Sequence, residues 1–140
     1  MSELTVTSLL YTQLATVTPA LPTQLANDAY KPVPGTAHQR ASVHYAAPDD
    51  PIVGGDGFYR LRGFLQVLFA HPLSAGEGAA LIRGQLLKAV FQRGNTMTAP
   101  GVTVKILRTP HMAAGYESEG FWKTPVSVYF EADINPSLQT

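Results

Sequence analysis

Cysteine is absent from the 140 residues. Disulfides and cysteine-based zinc sites are therefore excluded, a composition that suits a reducing cytoplasm. Charge is scarce as well. Asp, Glu, Lys and Arg make up 14% of the chain, below the usual quarter. Ten acidic and ten basic residues cancel, so long-range attraction to nucleic acid or to a membrane surface is weak. No apolar run approaches the roughly 20 residues of a membrane-spanning helix. Met1-Ser2-Glu3 carries no basic n-region, which argues against a secretory signal. Catalytic signatures are missing too: there is no G-x-S-x-G elbow, Walker lysine or Ser-x-x-Lys pair. The soft metal ligands are His38, His44, His71 and His111. No two of them have the i, i+4 spacing of a helical zinc motif, and none lie two apart on a strand. No metal, no cofactor and no enzymatic activity are expected.

What is present is pattern. A hydrophobic fraction of 45% in a chain of this length supports one packed domain spanning residues 1–140. Residues 5–18 read as a helix with Val6, Leu9, Leu10 and Leu14 on its apolar face, ended by Pro19 and Pro22. Residues 30–34 hold two prolines and must be extended or at an edge. Residues 39–46 alternate moderately and predict a strand. From residue 59 to 70 the alternation is clear: Tyr59, Leu61, Leu65, Val67 and Phe69 point to the core, and Arg60, Arg62, Phe64, Gln66 and Leu68 point away. The second set is polar at its start and apolar later, so that face should be open at one end and covered at the other.

His71-Pro72 stops this strand, and Ser74-Ala75-Gly76-Glu77 has the form of a capping box. A helix over 74–93 follows, with Ala79, Ile82, Leu86, Ala89, Val90 and Phe91 as its buried stripe. Arg83, Gln85, Lys88 and Gln92 form its wet face, and Gly94 is a left-handed cap. Two more strands complete the chain, over 102–107 and 121–130. Pro125 implies an exposed edge or a bulge in the last one. The tail from Asn135 reads as frayed. The predicted fold class is α+β, a mainly antiparallel sheet with two helices packed on one face.

Two segments read as long loops, residues 47–57 and 109–120, the second as a loop or hairpin arm. In the first, Gly54-Gly55-Asp56-Gly57 resembles a phosphate loop, but a strand follows it where a helix N-terminus would be needed. Glu117 and Glu119 have no apolar shell to raise a pKa, so they read as solvated charges. Charge is segregated along the sequence. Residues 60–108 carry seven basic side chains against Glu77 alone, a net +6, and the flanks 1–59 and 109–140 each carry −3. If that segregation became spatial, it would suit head-to-tail self-association. Arg60, Arg62 and Phe64 raise the question of nucleic acid, but the aromatics are too few and the net charge is zero.

The run Phe64-Leu65-Gln66-Val67 is followed by a helix ending Val90-Phe91-Gln92-Arg93-Gly94. Then come Val102-Thr103-Val104-Lys105-Ile106 and Phe121-Trp122-Lys123-Thr124-Pro125-Val126-Ser127-Val128. In this order they resemble the tail terminator-like proteins of tailed bacteriophages. The resemblance covers most of the chain and is structural, with no catalytic residues to carry over. It implies a subunit that assembles into a homo-oligomeric ring, commonly a hexamer. Such a ring caps the tail tube, ends its polymerisation and offers a surface to a head or neck completion protein. It also implies a place in the virion tail, and in the host cytoplasm during assembly. Asp49, Asp50 and Asp56 in the first loop, Arg60 and Arg62 on the strand that it enters, and Glu117 and Glu119 in the second loop are the candidate subunit or tube contacts. Two other readings remain: another ring-forming neck or tube component, and a small enzyme with an unrecognised site on the loops.

Overall fold

The computed structural model describes residues 2–18, 21–25, 36–47, 59–73 and 76–135. The expected extended segment 30–34, Asp49, Asp50 and Asp56 with nearly all of the loop 47–57, the Ser74 side of the capping box and the tail beyond Asn135 lie outside those residues. The architecture is α+β, with two helices and eight strands among the described residues. In chain order these are α1 (Ser2–Leu14), β1 (Thr23–Leu25), β2 (His38–Tyr45), β3 (Tyr59–Pro72), α2 (Gly76–Val90), β4 (Thr96–Ala99), β5 (Val102–Ile106), β6 (His111–Met112), β7 (Tyr116–Ser118) and β8 (Phe121–Ile134). The sheet runs β1-β2-β3-β8-β5-β4, with β6 and β7 also on β8. β1 is parallel to β2, and the remaining pairs are antiparallel.

β8 organises the molecule. One of its edges pairs with β3 along its whole length, from Phe121↔Pro72 to Ile134↔Tyr59. The other edge is shared in turn by β7, β6 and β5. Pro125 therefore lies on a central strand, which corrects the expectation of an exposed edge. The Pro125 carbonyl accepts from Ala113 N at 2.9 Å. The N and C=O of a strand residue point to the same side, so the missing N–H faces the stretch between β6 and β7, where pairing is already interrupted. The ladder to β3 passes Pro125 intact, in register with Leu68.

Register decides which side chains share a face. Ala41, Val67 and Val126 align across three strands, as do Val43, Leu65 and Val128. Val104 and Ala132 extend the row Leu61↔Ala132 to β5. Apart from Val43, which packs half-buried against them, these residues join Val6, Leu10 and Leu14 of α1, then Val17, Leu87 of α2 and Phe91 in one buried cluster. The last turn after α1 tightens, with Val17 N donating to Leu14 O at 3.1 Å, and this carries Val17 into the core. Gln13 Nε2 donates to Val90 O at 3.1 Å and Asn95 Nδ2 to the same carbonyl at 3.2 Å, closing the end of α2. Gly94 follows with φ +89°, the left-handed conformation its position predicts.

α2 is rotated from the expected stripe. Ala80, Leu87 and Phe91 are buried and Leu86 and Val90 half-buried, whereas Ile82 is 63% and Leu81 48% exposed. Ala89 is exposed, and Arg83, expected on the wet face, is only 5% exposed. The ring of Phe91 anchors the helix, and residues four and eleven positions earlier, Leu87 and Ala80, follow it inward. The loop 109–120 is the hairpin arm of the two expected alternatives. It lays β6 and β7 on β8 and ends in a two-residue turn, Glu119-Gly120, between the paired Ser118 and Phe121. Both turn residues have positive φ, 54° and 81°, the geometry of a primed hairpin turn. β1 and β4 have no counterpart in the sequence expectations.

Candidate functional site

The sheet face away from the buried cluster carries Arg40, Ser42 and His44 of β2. It also carries Arg60, Arg62, Phe64, Gln66 and Leu68 of β3, with Lys123, Pro125, Tyr129, Glu131 and Asp133 of β8. Arg62, Arg40 and His44 are exposed, and most of the others are half-buried. At the far end the face closes: His38, Ala70 and Phe121 are buried, and His38 meets Phe121 edge-on at 4.8 Å. The face is thus open at one end and covered at the other, as the composition of β3 implies.

At the open end, charge is paired across strands. Arg60 stands in register with Asp133 and Arg62 with Glu131. Arg60 Nε lies 2.7 Å from Asp133 Oδ1 and 2.9 Å from Glu131 Oε1. Arg62 reaches the same Glu131 oxygen from Nε at 3.3 Å and from Nη2 at 3.2 Å. The sequence segregation of charge is undone here, because the basic start of β3 lies against the acidic end of β8. Arg60 and Arg62 are therefore held within their own subunit. The contribution to stability is small, about 0–1 kcal/mol for an exposed pair.

Beside the ion pairs runs a row of rings. His44 stacks on Phe64 at 4.8 Å, Phe64 meets Tyr129 at 5.8 Å, and the Arg108 guanidinium sits 4.5 Å above the Tyr129 ring. The row crosses β2, β3 and β8. Close approach of two strands makes it possible, since a Cβ on Gly63 would collide with the His44 carbonyl.

Next to the rings is a trough of about 330 Å³, with Leu68 and Pro125 among its apolar lining, Ser42 and Gln66 as hydrogen-bonding groups, Arg40 at one side and Tyr116 of β7 at another. A second hollow of about 240 Å³ shares Arg40 and Leu68 with it and adds Lys123 and Glu119. Lys123 Nζ lies 3.9 Å from Glu119, whose side chain is 83% exposed. Arg40 is exposed and has no ion pair among the described residues. Arg40 does not stand out in the sequence, because it lies on a strand that alternates only moderately. Its importance comes from register, which the sequence does not show.

The structure thus brings Arg60 and Arg62 onto this face and Glu119 to its rim at the hairpin tip. Glu117 is exposed one residue after Tyr116 on β7. Asp49, Asp50 and Asp56 lie outside the described residues.

On the inner face, under α2, lies a buried polar group. Gln39 and Thr124 flank Phe69 in register, and His71 pairs with Trp122. Gln39, His71, Arg83 and Thr124 are each at most 6% exposed. Burial pushes the His71 pKa down, and the positive Arg83 and the nearby His38 push it further in the same direction. Burial also lowers the Arg83 pKa. His71 Nδ1 and Thr124 Oγ1 have no hydrogen-bond partner among the described residues. Burial and these neighbours thus all favour the neutral form of His71.

Among the described residues, no group of three or more His, Asp or Glu could hold a metal ion. No helix among them is long and apolar enough to cross a membrane. No curated protein matches the chain. A solved structure with 24% sequence identity matches with a TM-score of 0.75, over 96% of this chain and 96% of the other, and so shares its fold. The family model described as phage tail terminator protein matches residues 5–130, from α1 through most of β8, and the chain belongs to that family.

Proposed function

We propose that the chain is the structural subunit of a ring, with six copies as the expected number. The ring caps the tail tube, ends its polymerisation and presents a surface for joining the head or neck. The observation that carries this reading is the family match over residues 5–130. The half-buried, ring-lined outer face of the sheet agrees with it, since a face of this kind fits protein contact better than small-molecule chemistry. Its partners are further copies of itself, the tail tube protein and a head or neck completion protein. Its place is the virion tail, and the host cytoplasm during assembly.

Asp49, Asp50, Asp56, Glu117 and Glu119 remain the proposed acidic contacts. Arg60 and Arg62 would act there as half of an ion-pair ladder rather than as free cations. Incubation with polymerising tail tubes tests the reading. Capped tubes of fixed length are expected, and tubes that keep elongating beside excess protein would refute it. Rings that join tubes or necks without stopping elongation would point to a different neck or tube component.

A further inference from the structure

We infer that the trough centred on Arg40 and Leu68 is the acceptor site for an extended acidic segment of a second copy, the segment Asp49-Asp50-Pro51-Ile52-Val53. This deepens the ring reading and rests on it for the head-to-tail arrangement. Three observations support it.

The first is the chemistry of the trough. Arg40 is exposed with no ion pair among the described residues, while Arg60 and Arg62 are committed to Glu131 and Asp133. Arg40 is therefore the guanidinium lining this trough with charge to offer a carboxylate. Beside it, Leu68 and Pro125 present apolar surface, and Ser42 and Gln66 can bond to a peptide backbone.

The second is size. A trough of about 330 Å³ that opens to solvent has room for one or two side chains of an extended peptide.

The third is the match in the chain's own sequence. Two carboxylates are followed by proline and two β-branched apolar residues. Proline cannot donate to a ladder and favours an extended backbone, so the segment suits a strand laid in a groove. In sequence the segment follows β2, which ends at Tyr45. Arg40 lies five residues back along the strand, roughly 17 Å away. The acceptor and the donor are different surfaces of one chain, as a closed heterologous ring requires.

The test uses a fluorescent peptide of residues 46–57 titrated into the full-length protein. Saturable binding is expected, weakened at least tenfold by Arg40→Glu and weakened by salt. A peptide with Asp49→Lys and Asp50→Lys should prefer the Arg40→Glu protein. Arg40→Gln, a milder change, should fall between. Thermal melts of each variant confirm that the exposed position leaves the fold intact. No binding, equal binding to wild type and Arg40→Glu, or displacement of the peptide by an oligothymidylate of equal length would each overturn the proposal. A solution mass measurement runs alongside. Rings without peptide binding would refute this contact and leave the ring reading standing. Peptide binding that Arg40→Glu abolishes, in a chain that never forms rings, would uphold the site and refute the ring.

Discussion

The rotation of α2 makes a sharp prediction about two apolar residues nine positions apart. Phe91 is fully buried within the cluster that also holds Leu10 and Leu87. Phe91→Ala removes the ring from a site closed by the sheet, so it loses both transfer energy and the contacts around the vacated space. The expected cost is about 3–5 kcal/mol. Ile82 has 63% of its surface exposed. Ile82→Ala should change the stability of the isolated chain by less than about 0.5 kcal/mol, in the range of ordinary surface substitutions. Urea unfolding of the two variants, followed by tryptophan fluorescence from the single Trp122, measures both costs. The apolar periodicity of the sequence puts both residues in one buried stripe, so the difference between the two costs is the discriminating quantity. A cost for Ile82→Ala above about 2 kcal/mol, or one for Phe91→Ala below about 1 kcal/mol, would refute the observed helix orientation.

Glu119 holds a φ of 54° at the first position of the Glu119-Gly120 turn, where Asn or Gly is favoured. Glu119→Asn should raise stability by about 0.5–1 kcal/mol in chemical denaturation, and a loss would show that the turn is of another type. Gly63→Ala would drive a methyl group into the His44 backbone carbonyl, which the paired strand cannot move, and should cost about 1–3 kcal/mol; a neutral result would contradict the close approach of β2 and β3. The folded pKa of His71 is lowered by burial and by Arg83 and His38, so the unfolded chain takes up this proton first. Stability should therefore fall as pH drops below about 6.5, while at higher pH the group contributes no pH dependence. His71→Gln should flatten that acid limb in melts taken between pH 7.5 and about 5, and an unchanged slope would remove His71 as its source.

Strands with strict alternation were legible in the sequence, because a two-residue period has one solution once one face is apolar. Tyr59–Pro72 and Phe121–Ile134 each extend at least two residues beyond their expected ends, since the last residues of each pair with the first residues of the other and gain what their composition lacks. Short strands were not legible. Thr23–Leu25 owes its existence to parallel pairing with Gln39–Ala41, a partner that the local sequence cannot reveal. Thr96–Ala99 returns to Val102–Ile106 through Pro100-Gly101, with Gly101 at φ +73°, a turn signal that was present and passed over. α2 failed in a different way. It has apolar residues on more than one side, at 81, 82, 86, 87, 90 and 91, and amphipathic counting cannot choose between two stripes of similar strength. The choice falls to whichever stripe fits the sheet beneath it.

The outer face was half-legible for a related reason. The change along β3 from Arg60 and Arg62 to Leu68 was visible in one strand. What makes that face a surface for contact is the conjunction of three strands. Glu131 and Asp133 neutralise the two arginines of β3. Phe64 is joined to His44 and Tyr129. Arg40, whose own strand alternates only moderately, is left exposed beside the apolar floor of the trough. Each of these facts is a property of register. A charge pattern read along the chain identifies which residues can make a contact, and pairing across the sheet decides which of them are still free to make it.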